Sequence, residues 1–200
     1  MKALFDVPAP AKLNLFLHIT GRRADGYHLL QSAFVLLDWH DTLHFEVRSD
    51  ARISREDIGA TLPAQDLIVR AAQALQAHTQ CRAGVHIVVE KRIPAQAGMG
   101  GGSSDAASCL LALNRLWGLN LPLPALTRIG LALGADVPFF LQGHNAWVEG
   151  VGDVMQPIEI AQARLLVLKP PQGLDTASIF SSALLNRDSE TATICGFAAD

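Results

Sequence analysis

The chain has 200 residues, of which 50% are hydrophobic and 18% charged, which is typical of a globular protein with a substantial core. A net charge of −3 without a Lys/Arg cluster argues against nucleic acid as a partner, and no apolar stretch reaches the roughly 18 residues of a membrane span. Cys81, Cys109 and Cys195 are odd in number and widely spaced, which favours a reducing compartment. We therefore expect a cytoplasmic protein that acts on a small molecule.

The N-terminal part of the chain is predicted to be rich in β-strands. Residues 13–20 have a strand pattern, and residues 21–26 form a polar turn. Two further strands are predicted at residues 32–37 and 42–47, separated by the polar residues 38–41.

Helical signals begin at Asp66. This residue is a good N-cap for residues 67–75, which have helical spacing, and residues 85–90 return to a strand pattern. The next helix is predicted to begin near Ser104 or Asp105, whose side chains can cap it, and to run to about residue 117.

The later elements are shorter. Helices are predicted at residues 123–133, ending at Gly134, and at residues 176–185. Short strands are predicted at residues 146–149, 154–158 and 165–168. Because strands and helices are mixed without regular βαβ alternation, the predicted fold class is α+β.

A glycine-dense loop, residues 94–105, joins a strand pattern to a helix pattern. Glycine can adopt positive φ, so several N–H groups of such a loop can point at one anion, and the helix that follows adds its unsatisfied N-terminal N–H groups. The alternative is a flexible linker, but linkers lie between polar segments, whereas this loop lies between two apolar ones. The loop is therefore predicted to bind phosphate.

Three common phosphate-binding signatures do not fit this loop. No Lys follows the glycines as in a P-loop, and Ser103 stands where a dinucleotide fingerprint anchored at Gly98 and Gly100 has its third glycine. The H-R-D and D-F-G sequences of protein kinases are also absent. These observations argue against a P-loop NTPase, an NAD enzyme and a protein kinase.

Phosphoryl transfer requires a cation and a group that orients or deprotonates the acceptor hydroxyl. Lys12 and Asn14 are two residues apart at the start of a strand pattern and so share a face. Asp136 is a single acid in an apolar turn, residues 134–138. Lys12 and Asp136 are the candidate cation and base, although alone each also fits a plainer role, a solvated lysine and a capping aspartate.

In combination these features resemble the GHMP kinase family of small-molecule kinases. The family's second motif, P-x-x-x-G-[LM]-G-[GS]-[GS]-S, matches this chain position by position from Pro94 onward. The resemblance implies the GHMP-kinase fold, an N-terminal ribosomal-S5-domain-2-like α/β sandwich followed by a C-terminal α+β domain, with ATP as the phosphoryl donor.

The resemblance also implies where ATP binds. Asp66 and Lys91 fall where the family contacts adenine, although the family usually has Asn at position 66, and an ionised Asp lacks the donor of an amide. Mg²⁺ is expected to accompany ATP with Ser104 as a hydroxyl ligand, and no dedicated protein metal site is predicted. The loop residues that the resemblance expects to contact ATP are Pro94, Ala95, Gln96, Ala97, Gly98, Met99, Gly100, Gly101, Gly102, Ser103 and Ser104.

Residues 10–28, 134–138 and 149–153 narrow the resemblance within the family. They are similar to members that phosphorylate the 2-hydroxyl of cytidine diphosphate-linked methylerythritol in the non-mevalonate isoprenoid pathway. The resemblance implies that Asp136 is the base and Lys12 its partner, which would keep the Asp ionised and stabilise charge at the acceptor oxygen. The alternative is that Asp136 only orients the hydroxyl, because a loose transition state needs little help from a base.

The same resemblance assigns four residues to the substrate. Tyr27 or Phe180 would stack on the cytosine, a contact worth about 1–3 kcal/mol per base, and His28 would read its polar edge. A plain core position is the alternative for Phe180. Asn14 is expected to contact the methylerythritol.

Two domains are expected, residues 1–160 as the ATP-binding domain and residues 161–200 as the start of a C-terminal domain. The family's third glycine-rich motif does not occur after Phe180, so we expect a chain truncated within its second domain. Two other interpretations remain open. One is a weakly active nucleotide-binding fragment, and the other is a GHMP kinase for another alcohol such as homoserine.

Overall fold

The structure is a computed structural model in which residues 1–171, 173 and 176–197 are described. Two compact units alternate along the chain, and each is described by itself. The predicted domain boundary after residue 160 stays a prediction. The elements are β1 (Ala3–Arg22), β2 (His28–Arg48), β3 (Ile53–Ile58), α1 (Leu67–Thr79), β4 (Gly84–Glu90), α2 (Gly101–Leu116), α3 (Leu123–Leu133), α4 (Val137–Gln142), β5 (Ala146–Glu149), β6 (Val154–Pro157), α5 (Thr176–Ser181) and α6 (Ile194–Phe197).

The first unit comprises residues 1–11, 37–94 and 100–143. In its sheet, β4 pairs antiparallel with the second half of β2, from Thr42 opposite Glu90 to Arg48 opposite Gly84. The other edge of β4 pairs in parallel with β3. Strands of both directions thus occur together with helices, which confirms the α+β prediction.

Four helices belong to the first unit. In α1, the buried residues Ile68, Ala71, Ala72 and Leu75 follow the spacing i, i+3, i+4, i+7, so one stripe of the helix faces the core. By contrast, α2 is buried continuously from residue 104 to residue 110, because α1, α3 and α4 all pack against it. The glycine loop therefore leads into the most enclosed helix of this unit.

The second unit comprises residues 12–36, 95–99 and 144–200. Its sheet pairs the first half of β2 with β5, Ser32 opposite Val148, and β5 with β6, all antiparallel. The rings of Phe16 and Trp147 lie 5.3 Å apart between centroids and pack in its interior. Among the described residues of the whole chain, no helix has both the length and the apolar character needed to cross a membrane.

Local signals predicted the helices better than the strands. α1 begins after Asp66, whose carboxylate accepts a hydrogen bond from the Val69 N–H, and α3 has the predicted bounds. The separate strands predicted at residues 32–37 and 42–47 are wrong, because β2 is continuous across residues 38–41. The partners that hold this polar stretch in a strand come from residues about 50 positions later in the chain.

Three further predictions need correction. The start of the second long helix at Ser104 or Asp105 is wrong, because α2 begins at Gly101 after the N-cap Gly100. Residues 165–168 form no strand, and their leucines are largely exposed because no neighbouring strand covers them. The last predicted helix is shorter, Thr176–Ser181, and β3 and α4 were not predicted.

Candidate functional site

The glycine loop combines positive φ angles with an open helix end. φ is +69° at Gly98, +70° at Gly100 and +54° at Gln96. Gly100 is the N-cap of α2, and no side chain caps this end of the helix. The first N–H groups of α2 therefore keep their donor capacity for an anion, and the helix dipole favours negative charge there.

Of the two glycines in the first turn of α2, Gly101 allows close packing. A β-carbon at Gly101 would lie 3.2 Å from Ile93 Cγ2 and 3.5 Å from Asp41 Oδ2. A β-carbon at Gly102 would lie 3.5 Å from Leu67 Cδ1. Glycine at position 101 thus lets the first turn of α2 approach Ile93 closely, whereas a β-carbon at position 102 would make an ordinary contact. Gly98 and Gly100 supply the backbone turn.

The turn with Asp136 lies beside this helix end within the same unit. A β-carbon at Gly134 would lie 3.6 Å from Ser103 Oγ, so the two segments are in contact. Asp136 is the N-cap residue of α4, but its side chain makes no capping hydrogen bond there. Asp136 is half-buried.

Ser104 carries a buried hydroxyl without a protein partner. Its Oγ atom is enclosed, and no hydrogen-bond partner lies within reach among the described residues. A buried hydroxyl usually has a partner, because leaving it unpaired costs about 1–3 kcal/mol. At the open end of α2, such a group is suited to a ligand.

An ion cluster of Asp41, Lys91 and Asp105 supports the base of the loop. Lys91 Nζ donates to Asp41 Oδ2, and it lies 2.6 Å from Asp105 Oδ2. Asp41 Oδ1 also accepts from the backbone N–H groups of Arg92, at 2.5 Å, and Ile93, at 2.8 Å. This cluster joins β2, the end of β4 and the second turn of α2.

Burial and charge act in opposite directions on the pKa values of this cluster. Burial acts to lower the pKa of Lys91, but the carboxylates of Asp105 and Asp41 raise it above its ordinary value. Burial raises the pKa of Asp105 to about 7, against the opposing effect of Lys91. Its Oδ1 atom is also buried and has no hydrogen-bond partner among the described residues, which further disfavours the ionised form.

The raised pKa of Asp105 predicts a specific dependence of stability on pH. Between about pH 3.9, the ordinary pKa of an aspartate, and about pH 7, the folded state keeps a proton that the unfolded state has lost. The contribution of Asp105 to the free energy of unfolding therefore falls as the pH rises through this window, by up to about 1.4 kcal/mol per pH unit. Asp105→Asn removes this term, so we expect a flatter stability profile.

Urea denaturation of wild type and Asp105→Asn between pH 4.5 and pH 7.5 measures this difference, with pH values chosen to span roughly the window above. Asp38→Asn is a matched control, because Asp38 lies on an exposed part of β2. Parallel profiles for wild type and Asp105→Asn would show that Lys91 keeps Asp105 ionised throughout.

Asp66, an expected adenine contact, has two structural partners. Its Oδ1 atom caps α1 through the Val69 N–H at 3.1 Å and accepts from Arg55 Nη1. Arg55 is also bound by Asp57 and by the backbone carbonyls of Leu62 and Pro63. The side chains of Asp66 and Lys91 are both engaged in ion pairs. The adenine contacts expected of these two residues stay predictions.

In the second unit, Lys12 is attached to the glycine loop through its backbone. The Lys12 N–H donates to the carbonyl of Met99 at 3.0 Å. Its Nζ atom donates to Asn14 Oδ1 at 2.7 Å and lies 4.3 Å from the centroid of the Phe34 ring. The side chains of Lys12 and Asn14 thus share a face, as predicted, and Lys12 is 5% exposed.

The structure brings two of the three predicted base contacts together. The rings of His28 and Phe180 lie 5.3 Å apart between centroids at an angle of 40°. Arg187 Nε donates to His28 Nε2 at 3.1 Å. Tyr27 is adjacent to His28 in the chain, and 66% of it is exposed.

The residues that sequence reasoning missed act through distant contacts. Asp41 is one of the polar residues predicted to separate two strands, Arg55 lies in a segment without a predicted element, and Asp105 is predicted only as a helix cap. Arg187 follows a predicted helix and has no motif. For Asp41 the sequence does contain a signal, because an acid that lies between two apolar strand patterns is expected to need a charged partner when the strands are buried.

Comparisons with known proteins agree with this geometry. The family GHMP kinases N terminal domain matches residues 66–144. The 4-diphosphocytidyl-2-C-methyl-D-erythritol kinase of Delftia acidovorans is 70% identical over 100% of this chain and 71% of its own length. That of Variovorax paradoxus is 66% identical, over 100% of this chain and 68% of its own length.

Solved structures share the fold. A crystal structure of 4-(cytidine 5'-diphospho)-2C-methyl-D-erythritol kinase is 38% identical, with a TM-score of 0.67 over 80% of this chain and 56% of that chain. The mevalonate kinase of Methanococcus jannaschii has a TM-score of 0.59 at 13% identity, over 78% of this chain and 55% of that chain, which is a likeness of fold alone. This chain thus spans little more than half the length of the solved structures it matches.

Proposed function

Because this chain belongs to the family of 4-diphosphocytidyl-2-C-methyl-D-erythritol kinases within the GHMP kinases, we propose that it transfers the γ-phosphoryl group of ATP. The acceptor is the 2-hydroxyl of 4-diphosphocytidyl-2-C-methyl-D-erythritol. The observation that carries this proposal is the uncapped end of α2 in contact with the turn that presents Asp136. That contact supports a site in which a phosphate bound at the start of α2 lies next to the carboxylate of Asp136.

Each proposed catalytic residue has a distinct physical role. The N–H groups of the loop, residues 94–104, would hold the phosphates, which supplies positioning for the transfer. Asp136 would accept the hydroxyl proton or orient the hydroxyl, and its place in the turn that contacts the start of α2 supports either role. The ammonium group of Lys12 would offset the charge on the moving phosphoryl group.

A Mg²⁺ ion fits the donor set at the start of α2. Ser104 Oγ is a buried oxygen that lacks a protein partner among the described residues, and Mg²⁺ prefers oxygen ligands. Ser104 would hold the ion together with phosphate oxygens and water. The ion would supply charge neutralisation on the phosphates.

The residues around His28 are the basis for proposing that the acceptor alcohol carries a pyrimidine nucleotide. His28 and Phe180, whose rings lie against each other at an angle of 40°, provide an aromatic surface and a polar edge, which suit a pyrimidine base. Homoserine and mevalonate carry no base to occupy such a surface. The juxtaposition therefore favours a nucleotide-linked alcohol over these other acceptors.

The proposal is tested by coupled ADP release from the 200-residue chain with ATP, Mg²⁺ and each acceptor in turn. We expect ADP release with 4-diphosphocytidyl-2-C-methyl-D-erythritol and only background with homoserine or mevalonate. The product should carry a new phosphomonoester signal in ³¹P NMR. Asp136→Asn is the matched control, because it keeps the side-chain shape and loses the proton acceptor.

Two outcomes would contradict the proposal. ADP release that is equal in wild type and Asp136→Asn would indicate background hydrolysis. Stabilisation by ATP in thermal melting without acceptor-dependent ADP release would instead favour the nucleotide-binding alternative.

A further inference from the structure

Arg187 is fixed by backbone carbonyls on one side and by His28 on the other. Its Nη2 atom donates to the carbonyls of Phe180, at 3.0 Å, and Ser182, at 2.8 Å, and its Nη1 atom donates to that of Leu185, at 3.1 Å. Its Nε atom donates to His28 Nε2 at 3.1 Å. The guanidinium is therefore held in one orientation relative to the histidine.

This contact determines which nitrogen of His28 carries the proton. A guanidinium has only donors and stays protonated, so the atom that it faces must be an acceptor. His28 Nε2 consequently keeps its lone pair, and the neutral ring carries its proton on Nδ1. Burial, the Arg187 cation and Arg22 lower the pKa of His28, which keeps the ring neutral.

We infer that Arg187 is a positioning residue that fixes His28 as the Nδ1–H tautomer, so that the ring offers a hydrogen-bond donor to a cytosine and selects it over uracil. The inference rests on the proposed function for the nature of the acceptor. Within the described residues, His28 Nδ1 has no hydrogen-bond partner, which leaves this donor for a ligand. The Phe180 ring lies against the same imidazole at an angle of 40°, and Arg187 also donates to the backbone carbonyl of Phe180.

The chemistry of the two bases makes the tautomer decisive. Cytosine presents the acceptor N3 on its Watson–Crick edge, whereas uracil presents the donor N3–H at the same place. A ring N–H therefore pairs with cytosine and opposes uracil, while the other tautomer would do the reverse. A hydrogen bond that separates two bases in this way typically gives a preference of roughly 5- to 150-fold.

The tautomer can be read in the wild-type chain without any variant. Long-range ¹H–¹⁵N spectra of protein labelled with ¹⁵N-histidine distinguish the protonated from the unprotonated ring nitrogen, and His28→Gln assigns the signals. We expect Nδ1 to be protonated and Nε2 to be the acceptor. A protonated Nε2 in wild type would overturn the inference.

Specificity is tested with cytidine diphosphate and uridine diphosphate as probes, titrated calorimetrically into wild type, Arg187→Met and Arg164→Met. Arg164 is an exposed arginine in the same unit and serves as the matched control. We expect wild type and Arg164→Met to prefer cytidine diphosphate by roughly 5- to 150-fold. Arg187→Met should lose most of this preference, because its histidine is free to adopt either tautomer.

The failures of the two proposals are distinguishable. Binding of cytidine diphosphate by wild type without preference over uridine diphosphate, or with an unchanged preference in Arg187→Met, overturns the role of Arg187 and leaves the kinase proposal intact. Binding of neither nucleotide by wild type overturns both proposals. Circular dichroism of Arg187→Met establishes that the variant is folded.

Discussion

Lys12→Ala is expected to lower kcat for phosphoryl transfer by a factor of about 10²–10³, the usual effect of removing one charge-stabilising group. Lys12 is 5% exposed, and its ammonium group is hydrogen-bonded to Asn14 and held over the Phe34 ring, so its position is fixed before substrate binds. A preorganised cation in an enclosed place stabilises developing negative charge more than water can. The effect should appear in kcat more than in KM, because the charge develops in the transition state.

Lys2→Ala is the control for this prediction. Lys2 precedes the same strand and is exposed, so the same substitution there should leave kcat unchanged. Thermal melting checks that Lys12→Ala remains folded, since it removes a buried side chain. A loss of less than about tenfold in kcat would indicate a structural role for Lys12 in β1, since a preorganised charge should contribute more.

Asp41→Ala is expected to lower the free energy of unfolding by about 3–5 kcal/mol, which is typical when one partner of a buried ion pair is removed. The carboxylate is fully buried and satisfies the N–H groups of Arg92 and Ile93 as well as Lys91. Alanine leaves both N–H groups unpaired at the point where β4 leads into the glycine loop. Lys91 keeps only Asp105 as a partner.

Urea denaturation measures this change, with Asp38→Ala as the control. Asp38 lies three residues earlier on the same strand and is exposed, so its replacement should change stability by no more than about 0.5 kcal/mol. Asp41→Asn should fall between the two, because its amide oxygen can still accept from the backbone. A loss of about 1 kcal/mol or less for Asp41→Ala would mean that water reaches these groups and satisfies them.

Helices whose ends are marked by residues within or next to them could be predicted from the sequence. α1 has a capping aspartate and an apolar stripe, and α3 has the predicted bounds before Gly134, so neither depends on distant residues for its ends. The start of α2 was misjudged because a side-chain cap was expected, whereas Gly100 leaves this end open. A helix end without a capping side chain has no residue that marks it in the sequence, although such an end is well suited to bind an anion.

The strands depended on partners far away in the chain. Residues 38–41 are predicted to separate two strands because they are polar, yet β2 continues through them because Asp41 binds Lys91, Arg92 and Ile93. β3 is a polar run that becomes a strand only by pairing in parallel with β4. Arg187 shows the same limit at the candidate site, since its link to His28 spans 159 positions.

The Asp41–Lys91 pair also favours one pairing register between β2 and β4. The ladder between β2 and β4 ends at Thr42 opposite Glu90, and extending it by one residue places Asp41 opposite Lys91. A slip of one residue in one direction would put Asp41 opposite Glu90, so two carboxylates would meet where an ion pair forms now. The same slip would turn Leu43 and Phe45 away from the core. Asp41, which supports the glycine loop in the folded protein, thus also disfavours the shifted register of β2 against β4 during folding.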